Sequence, residues 1–267
     1  MSKDQHTSAP FPAPPRLVEL LDRVDAAPEA EALRRRSYEL LGVRERPGAR
    51  VLDVGCGTGR AVGEMAGAGA RAEGADTDAA MLALARERWP GARFHEADAL
   101  QLPYGDGTLD GYRADKLYHA LPDPAAALAE ARRVLAPGRG RVCLLGHDWD
   151  AFLLDADDPE LTRALVRARS AELPFPRAAR GYRNLLLDAG FQDVHAEART
   201  WILTGEAALP YLEGHARAGV ASGAVTAAAA DRWHREQRHR ATADRLFLAL
   251  PFFMAAGRAP TGRAPTA

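Results

Sequence analysis

Between Arg50 and Gly146, short apolar runs alternate with stretches whose apolar residues recur every three or four positions. The short runs have strand length and the longer stretches helical spacing. This pattern predicts strands at 50–54, 71–75, 92–96, 109–114 and 140–146. It predicts helices from about Arg60 to Ala68, through MLALARERW until Pro90-Gly91, and over 123–135 until Pro137-Gly138. Such alternation indicates parallel βαβ units with right-handed crossovers, which is a doubly wound α/β sheet. Upstream, residues 16 to 41 read as helix, with Leu17, Leu20, Leu21 and Val24 at helical spacing and a second piece, ALRRRSYELL, after Pro28.

Beyond Asp148 the rhythm changes. Helical stretches at 157–172 and 180–189 lead to an aromatic strand near Phe191–Leu203. A helix-rich segment over 205–245 precedes a last apolar strand in FLALPFFMAAGRA. The expectation is therefore a seven-stranded, mostly parallel sheet divided along the chain. Residues 1–15 form a disordered tail, 16–47 an N-terminal helical cap and 48–148 a ligand-binding core. Residues 149–257 supply the remaining strands with a helical cap insertion, and 258–267 a second tail.

The run VLDVGCGTGR, 51 to 60, places Gly55, Gly57 and Gly59 directly after the first strand. Glycine weakens regular structure and is tolerated where backbone turns sharply or a ligand comes close. That points to a cradle for a nucleotide-like group. The dinucleotide pattern G-x-G-x-x-G requires glycine at 60, where Arg60 stands. Asp76 ends the second strand and can accept from both ribose hydroxyls, a feature that NAD sites share. Asp98 follows the third strand in FHEADALQLP. Its carboxylate can accept from an exocyclic amine while the Ala99 N–H donates to an adenine ring.

Four stretches, VLDVGCGTG, GADTDAAMLALAR, FHEADALQLPYGDGTLDGYRADKLYHALPDP and ALAEARRVLAPGRGRVCLL, occur in order over residues 48 to 147. Together they resemble the class I S-adenosylmethionine-dependent methyltransferases, in the small-molecule branch related to ubiquinone and menaquinone biosynthesis. The resemblance implies the Rossmann-like methyltransferase fold and S-adenosyl-L-methionine as cofactor. It implies that Gly55, Gly57 and Gly59 line the methionine and ribose side. Asp76 would hold the ribose, Thr77 and Met81 would flank the adenine, and Asp98 and Ala99 would read its edge. Gly138-Arg139 replaces the family's Gly-Gly, in a turn away from the cofactor.

Methyl transfer from a sulfonium needs alignment and exclusion of water, and a base only when the acceptor must lose a proton. His119 follows the fourth strand and His147 ends the fifth, both at the carboxyl edge where ligands sit. Either can act as base or hydrogen-bond partner, while His119 also reads as a packing residue. Tyr104, Tyr118, Trp149, Phe152, Tyr182, Trp201 and Tyr211 form either an aromatic acceptor wall or a small core of the insertion. Arg34, Arg35 and Arg36 read either as a solvated helix face or, for one of them, as a partner of the cofactor carboxylate. The histidines, His234 and His239 included, have no metal-ligand spacing.

The chain has 267 residues, 47% of them apolar and 27% charged, enough for a large packed core. Its net charge of −1 gives no footprint for nucleic acid or an anionic membrane. Lys3 and Lys116 are its two lysines, so its positive charge is almost all arginine. Cys56 and Cys143 lie in apolar runs and read as inert thiols of a reducing cytoplasm. No signal-peptide or membrane-length run is present. The expected partner is a small-molecule acceptor, and nothing in the composition opposes a homodimer. Two rival readings stand beside methyl transfer to a metabolite: a non-methylating reaction such as a cyclisation on the same fold, and methylation of protein or RNA.

Overall fold

The structure, a computed structural model, describes Val18, Asp22 and residues 24–262. The expected tail at 1–15, and Leu17, Leu20 and Leu21 of the first predicted helix, lie outside the described residues.

Strands β1 (Arg50–Val54), β2 (Arg71–Asp76), β3 (Arg93–Glu96), β4 (Gly111–Asp115) and β5 (Arg141–His147) form the parallel half in the order β3-β2-β1-β4-β5. Strand β8 (Phe247–Arg258) runs antiparallel beside β5, and β7 (Gln192–Thr204) pairs with the other edge of β8. Among the described residues, the predicted count of seven strands is corrected to eight. After the loop at 148–152 the chain returns to β8 through the two-residue β6 (Leu153–Leu154), paired with Ala249 and Leu248.

Helices α1 (Pro28–Leu41), α2 (Arg60–Gly67), α3 (Ala79–Arg88), α4 (Pro124–Val134) and α6 (Ala178–Asp188) cover the sheet. Their ends follow local chemistry. The Asp78 side chain accepts from the N–H groups of Ala80 and Met81 at the start of α3. Asp123 before Pro124 does the same for α4 through Ala126. Gly42, at φ +67, closes α1 in the left-handed conformation. Helices α5 (Pro159–Ser170), α7 (Leu209–Ala221) and α8 (Ala227–Thr242) form a separate layer. Leu165, Leu212 and Trp233 in this layer pack with Trp201, Leu248 and Leu250 of β7 and β8. Of the predicted cap, α6 belongs instead to the sheet core, since Tyr182 and Leu186 bury against Leu144 and Ala255. Among the described residues, no helix is long and apolar enough to cross a membrane.

Candidate active site

The carboxyl ends of β1, β4 and β5 open into a cavity of about 430 Å³. Its floor is the glycine loop, Gly55 to Thr58. One side comes from Asp115, Lys116, His119, His147 and Trp149. Leu33 and Arg34 of α1, with Val24 and Asp25 before it, cover the cavity. Trp201, Tyr211 and Phe252 close its far end.

The three glycines of the loop all have left-handed backbone, at φ +70, +50 and +79. Their surroundings differ. A β-carbon at Gly57 meets nothing within 4 Å, so this glycine leaves open the cavity it lines. At Gly55 it meets Leu117 at 3.2 Å. At Gly59 it falls 2.7 Å from Phe94 and 3.0 Å from Trp89. Gly59 caps α2 and does not line the cavity, so packing explains this glycine.

Asp76, at the end of β2, accepts from the Gly57 N–H at 2.8 Å and from the Asp78 N–H at 3.0 Å. It thereby ties the loop to the second strand. Thr77 follows it, exposed, and Met81 is buried in the first turn of α3. Asp98 is exposed just beyond β3, accepting from the Leu100 N–H at 2.9 Å, and Ala99 beside it is buried. The predicted adenosine set thus occupies the carboxyl edge of β2 and β3, beside the cavity rather than in its wall.

A buried ionic group lies under the loop. The Arg113 guanidinium donates to Asp53 at 2.8 Å, to Asp115 at 3.0 Å and to the Ser37 hydroxyl at 2.8 Å. Burial alone would lower the Arg113 pKa, but Asp53 and Asp115 outweigh it and keep the charge. Burial likewise opposes ionisation of Asp115, and Lys116 with Arg113 overcomes it, leaving an anion. The second oxygen of Asp115, Oδ1, is buried without a hydrogen-bond partner among the described residues. Leaving such an atom unpaired costs about 1–3 kcal/mol, so it marks a place for a donor or cation. The sequence reading missed Asp115 and Arg113, because inside RADKLYHA they look like a strand's surface charges.

His119 and His147 do come together, with ring centroids 6.3 Å apart. Trp149 joins them at 5.4 Å from His119 and 4.3 Å from His147. Burial, aided by neighbouring positive charge, pushes the imidazoles down to about 4 for His119 and about 3 for His147. Both rings are neutral at physiological pH. Among the described residues, Nε2 of His147 and Nε1 of Trp149 are buried without partners.

The aromatic set divides. Trp149, Trp201 and Tyr211 line the cavity. Phe152 stands behind them against His215, at 4.5 Å. Tyr118 and Tyr182 lie in the core cluster that α4 and α6 form on the sheet, edge to face at 6.0 Å. Tyr104 donates to Glu73 at 2.8 Å. Placing Tyr182 in an acceptor wall is therefore corrected. The arginine run divides too. Arg34 is buried and pairs with Glu64 at 2.9 Å, and Arg36 reaches Glu197 at 2.8 Å. Arg35 alone keeps an exposed helix-face role.

Residues 51–138 match the family model described as a methyltransferase domain. The O-methyltransferase cnsE of Penicillium expansum is 35% identical over 175 residues, covering 61% of this chain and 60% of the relative. The demethylmenaquinone methyltransferase of Thermus thermophilus is 39% identical over 118 residues, covering 42% and 52%. The chain belongs to the class I S-adenosylmethionine-dependent methyltransferases. Matches to the first curated relatives span 43% to 66% of their length. The crystal structure of the [4+2]-cyclase SpnF shares the fold, with TM-score 0.58 and 21% identity over 92% of this chain and 93% of that one. The methyltransferase core is therefore the part of the chain on which family and fold agree.

Proposed function

We propose that this chain transfers a methyl group from S-adenosylmethionine to a small, aromatic or lipophilic metabolite, as a soluble cytoplasmic enzyme. The two-part character of the cavity carries this reading. Its floor sets a glycine opening beside an anionic, half-unpartnered Asp115. Its far end is built of Trp201, Tyr211 and Phe252, with Trp149 on the side and Leu33 in the cover. A cofactor with a cationic amino-acid end, a ribose and an adenine fits the first part and the edge beside it. Asp115 would meet the cation, Gly57 would admit the portion closest to the backbone, and Asp76, Asp98 and Ala99 would offer ribose and adenine their acceptors and donor. When bound, the cofactor supplies a methyl group already activated on a sulfonium.

The residues of this chain then have to orient the acceptor and exclude water. Trp201, Tyr211 and Phe252 wall off the far end, and Leu33 with Val24 closes it from above. His147, neutral at Nε2, orients the acceptor by hydrogen bonding rather than by holding its proton, because its affinity for protons is too low. The near-neutral chain and aromatic-lined cavity favour a metabolite over protein or RNA. Calorimetric titration with S-adenosylhomocysteine tests the cofactor half. Saturable binding that weakens in Asp76→Ala supports it, and unchanged affinity in that variant removes Asp76 from the ribose site.

A further inference from the structure

Resting on the methyltransferase reading, we infer that the acceptor is an oxygen acid, a phenol or enol, seated as its anion between Lys116, Trp149 and His147. Lys116 is one of three non-glycine described residues with left-handed backbone, at φ +54 directly after β4. That conformation costs about 1–2 kcal/mol and turns a strand end into a lining position of the cavity. The ammonium is only loosely held, 3.6 Å from Asp115 and 3.7 Å from Asp25, beyond good hydrogen-bond length. Two other cations at the cavity, Arg34 and Arg113, are held at hydrogen-bond distance, whereas Arg60 is as loosely held as Lys116. Arg34 pairs with Glu64 and Arg113 with Asp53 and Asp115, while Arg60 stands 3.9 Å from Asp22.

Trp149 supplies the second observation. Its Nε1 is a donor only, buried and unpartnered among the described residues, so it is free to donate to an acceptor atom of a ligand. Arg169 of α5 stacks over the indole at 4.9 Å and fixes the ring. A third polar atom, Nε2 of His147, is also buried and unpartnered. Such a wall discriminates between nucleophiles. A neutral amine has one lone pair, and a donor that engages it blocks attack. An oxyanion has three, so it can accept from Trp149 and Lys116 and still present a pair to the methyl carbon.

The charges facing this seat are Lys116 after β4 and Arg169 behind Trp149, opposed by Asp115 and Asp25. Arg113 offsets Asp115 from the floor, and His119 and His147 carry no charge at neutral pH. The acceptor's proton passes to bulk water as it binds. In the transfer the oxygen–carbon bond forms, the carbon–sulfur bond breaks, and its electron pair stays on sulfur. No wall residue has to take up a proton.

The test uses the full chain saturated with S-adenosylhomocysteine and a matched pair of probes, 4-nitrophenol and 4-nitroaniline. Absorbance of the bound phenol against pH reads its ionisation. The seat should shift that titration down by about one pH unit or more, a preference for the anion of about tenfold or more. Lys116→Met should return the titration to its value in free solution. Trp149→Phe should weaken phenolate binding about tenfold or more, the cost of one hydrogen bond to a charged group. Retained affinity for S-adenosylhomocysteine in both variants shows that they fold. A bound phenol that titrates at or above its free value, or an aniline that binds as tightly, overturns the inference and leaves the methyltransferase reading standing. No binding of S-adenosylhomocysteine by the parent chain overturns both.

Discussion

Gly57 and Gly59 offer a matched perturbation, because they share a loop and a left-handed backbone but differ in what a β-carbon meets. At φ +50 and +79 an alanine costs each position about 1–2 kcal/mol. At Gly57 the new methyl enters open cavity and adds no clash. At Gly59 it lands 2.7 Å from buried Phe94 and 3.0 Å from Trp89, and such overpacking adds about 1–3 kcal/mol. Gly59→Ala should therefore be roughly 1–3 kcal/mol less stable than Gly57→Ala in urea unfolding. Ligand binding should show the reverse order. The methyl at Gly57 holds the cofactor off the loop, and losing about two charge-assisted hydrogen bonds amounts to ~3 kcal/mol, or roughly a hundredfold. Calorimetry with S-adenosylhomocysteine should find that loss in Gly57→Ala, deepening to no measurable binding in Gly57→Val, with a near-parental far-ultraviolet spectrum. Gly59→Ala should bind within about two- to threefold of the parent while folded, the spread of changes that remove no contact. Parental affinity in Gly57→Ala, or equal stability of the two alanine variants, would refute the cradle argument.

Asp76→Ala should weaken S-adenosylhomocysteine by about 1.5–3 kcal/mol in the same calorimetric assay; it also frees the Gly57 N–H, so the loop should exchange amide hydrogen faster. Trp149→Ala should raise the acceptor KM or lower kcat, with cofactor affinity held within about 0.5 kcal/mol. Tyr182→Ala should instead lower stability by about 3–5 kcal/mol, the cost of deleting a buried aromatic ring, and act on catalysis only through that. Acid should destabilise the protein. Burial depresses His119 to about 4, His147 to about 3 and His215 to about 4. Below about pH 6.5 the unfolded chain takes up protons that the folded chain refuses, so the midpoint of thermal unfolding should fall from there toward pH 4. A midpoint that stays level over that range contradicts the burial of neutral rings.

The parallel half of the fold was legible because each strand and helix carries its own local signal. β1 occupies the predicted 50–54, and β2 to β5 begin and end within two residues of their predicted bounds. Asp123-Pro124 and Asp158-Pro159 mark helix starts in the chain itself. Seats made by distant partners were not legible. β6 exists only because β8, about a hundred residues later, offers its edge. Tyr182 has the same composition signal as Trp149, yet α6 turns it into the sheet core. Asp115 and Arg113 become a site feature through Asp53 and Ser37, on other elements. The glycine loop was legible as a sharp turn after β1, whereas the open space at Gly57 and the contact of Gly59 with Phe94 required the packing. Lys116 carried a faint signal as one of two lysines in an arginine-rich chain.

The most direct measurement follows the methyl group. The purified chain is incubated with methyl-labelled S-adenosylmethionine and a metabolite extract, then the label is traced through small molecules, protein and nucleic acid. Label in an organic-extractable small molecule, formed in proportion to the protein and absent with Gly57→Val, is the result this account predicts. Label that remains wholly in the cofactor while a metabolite is consumed, or that passes into protein or RNA, would contradict it.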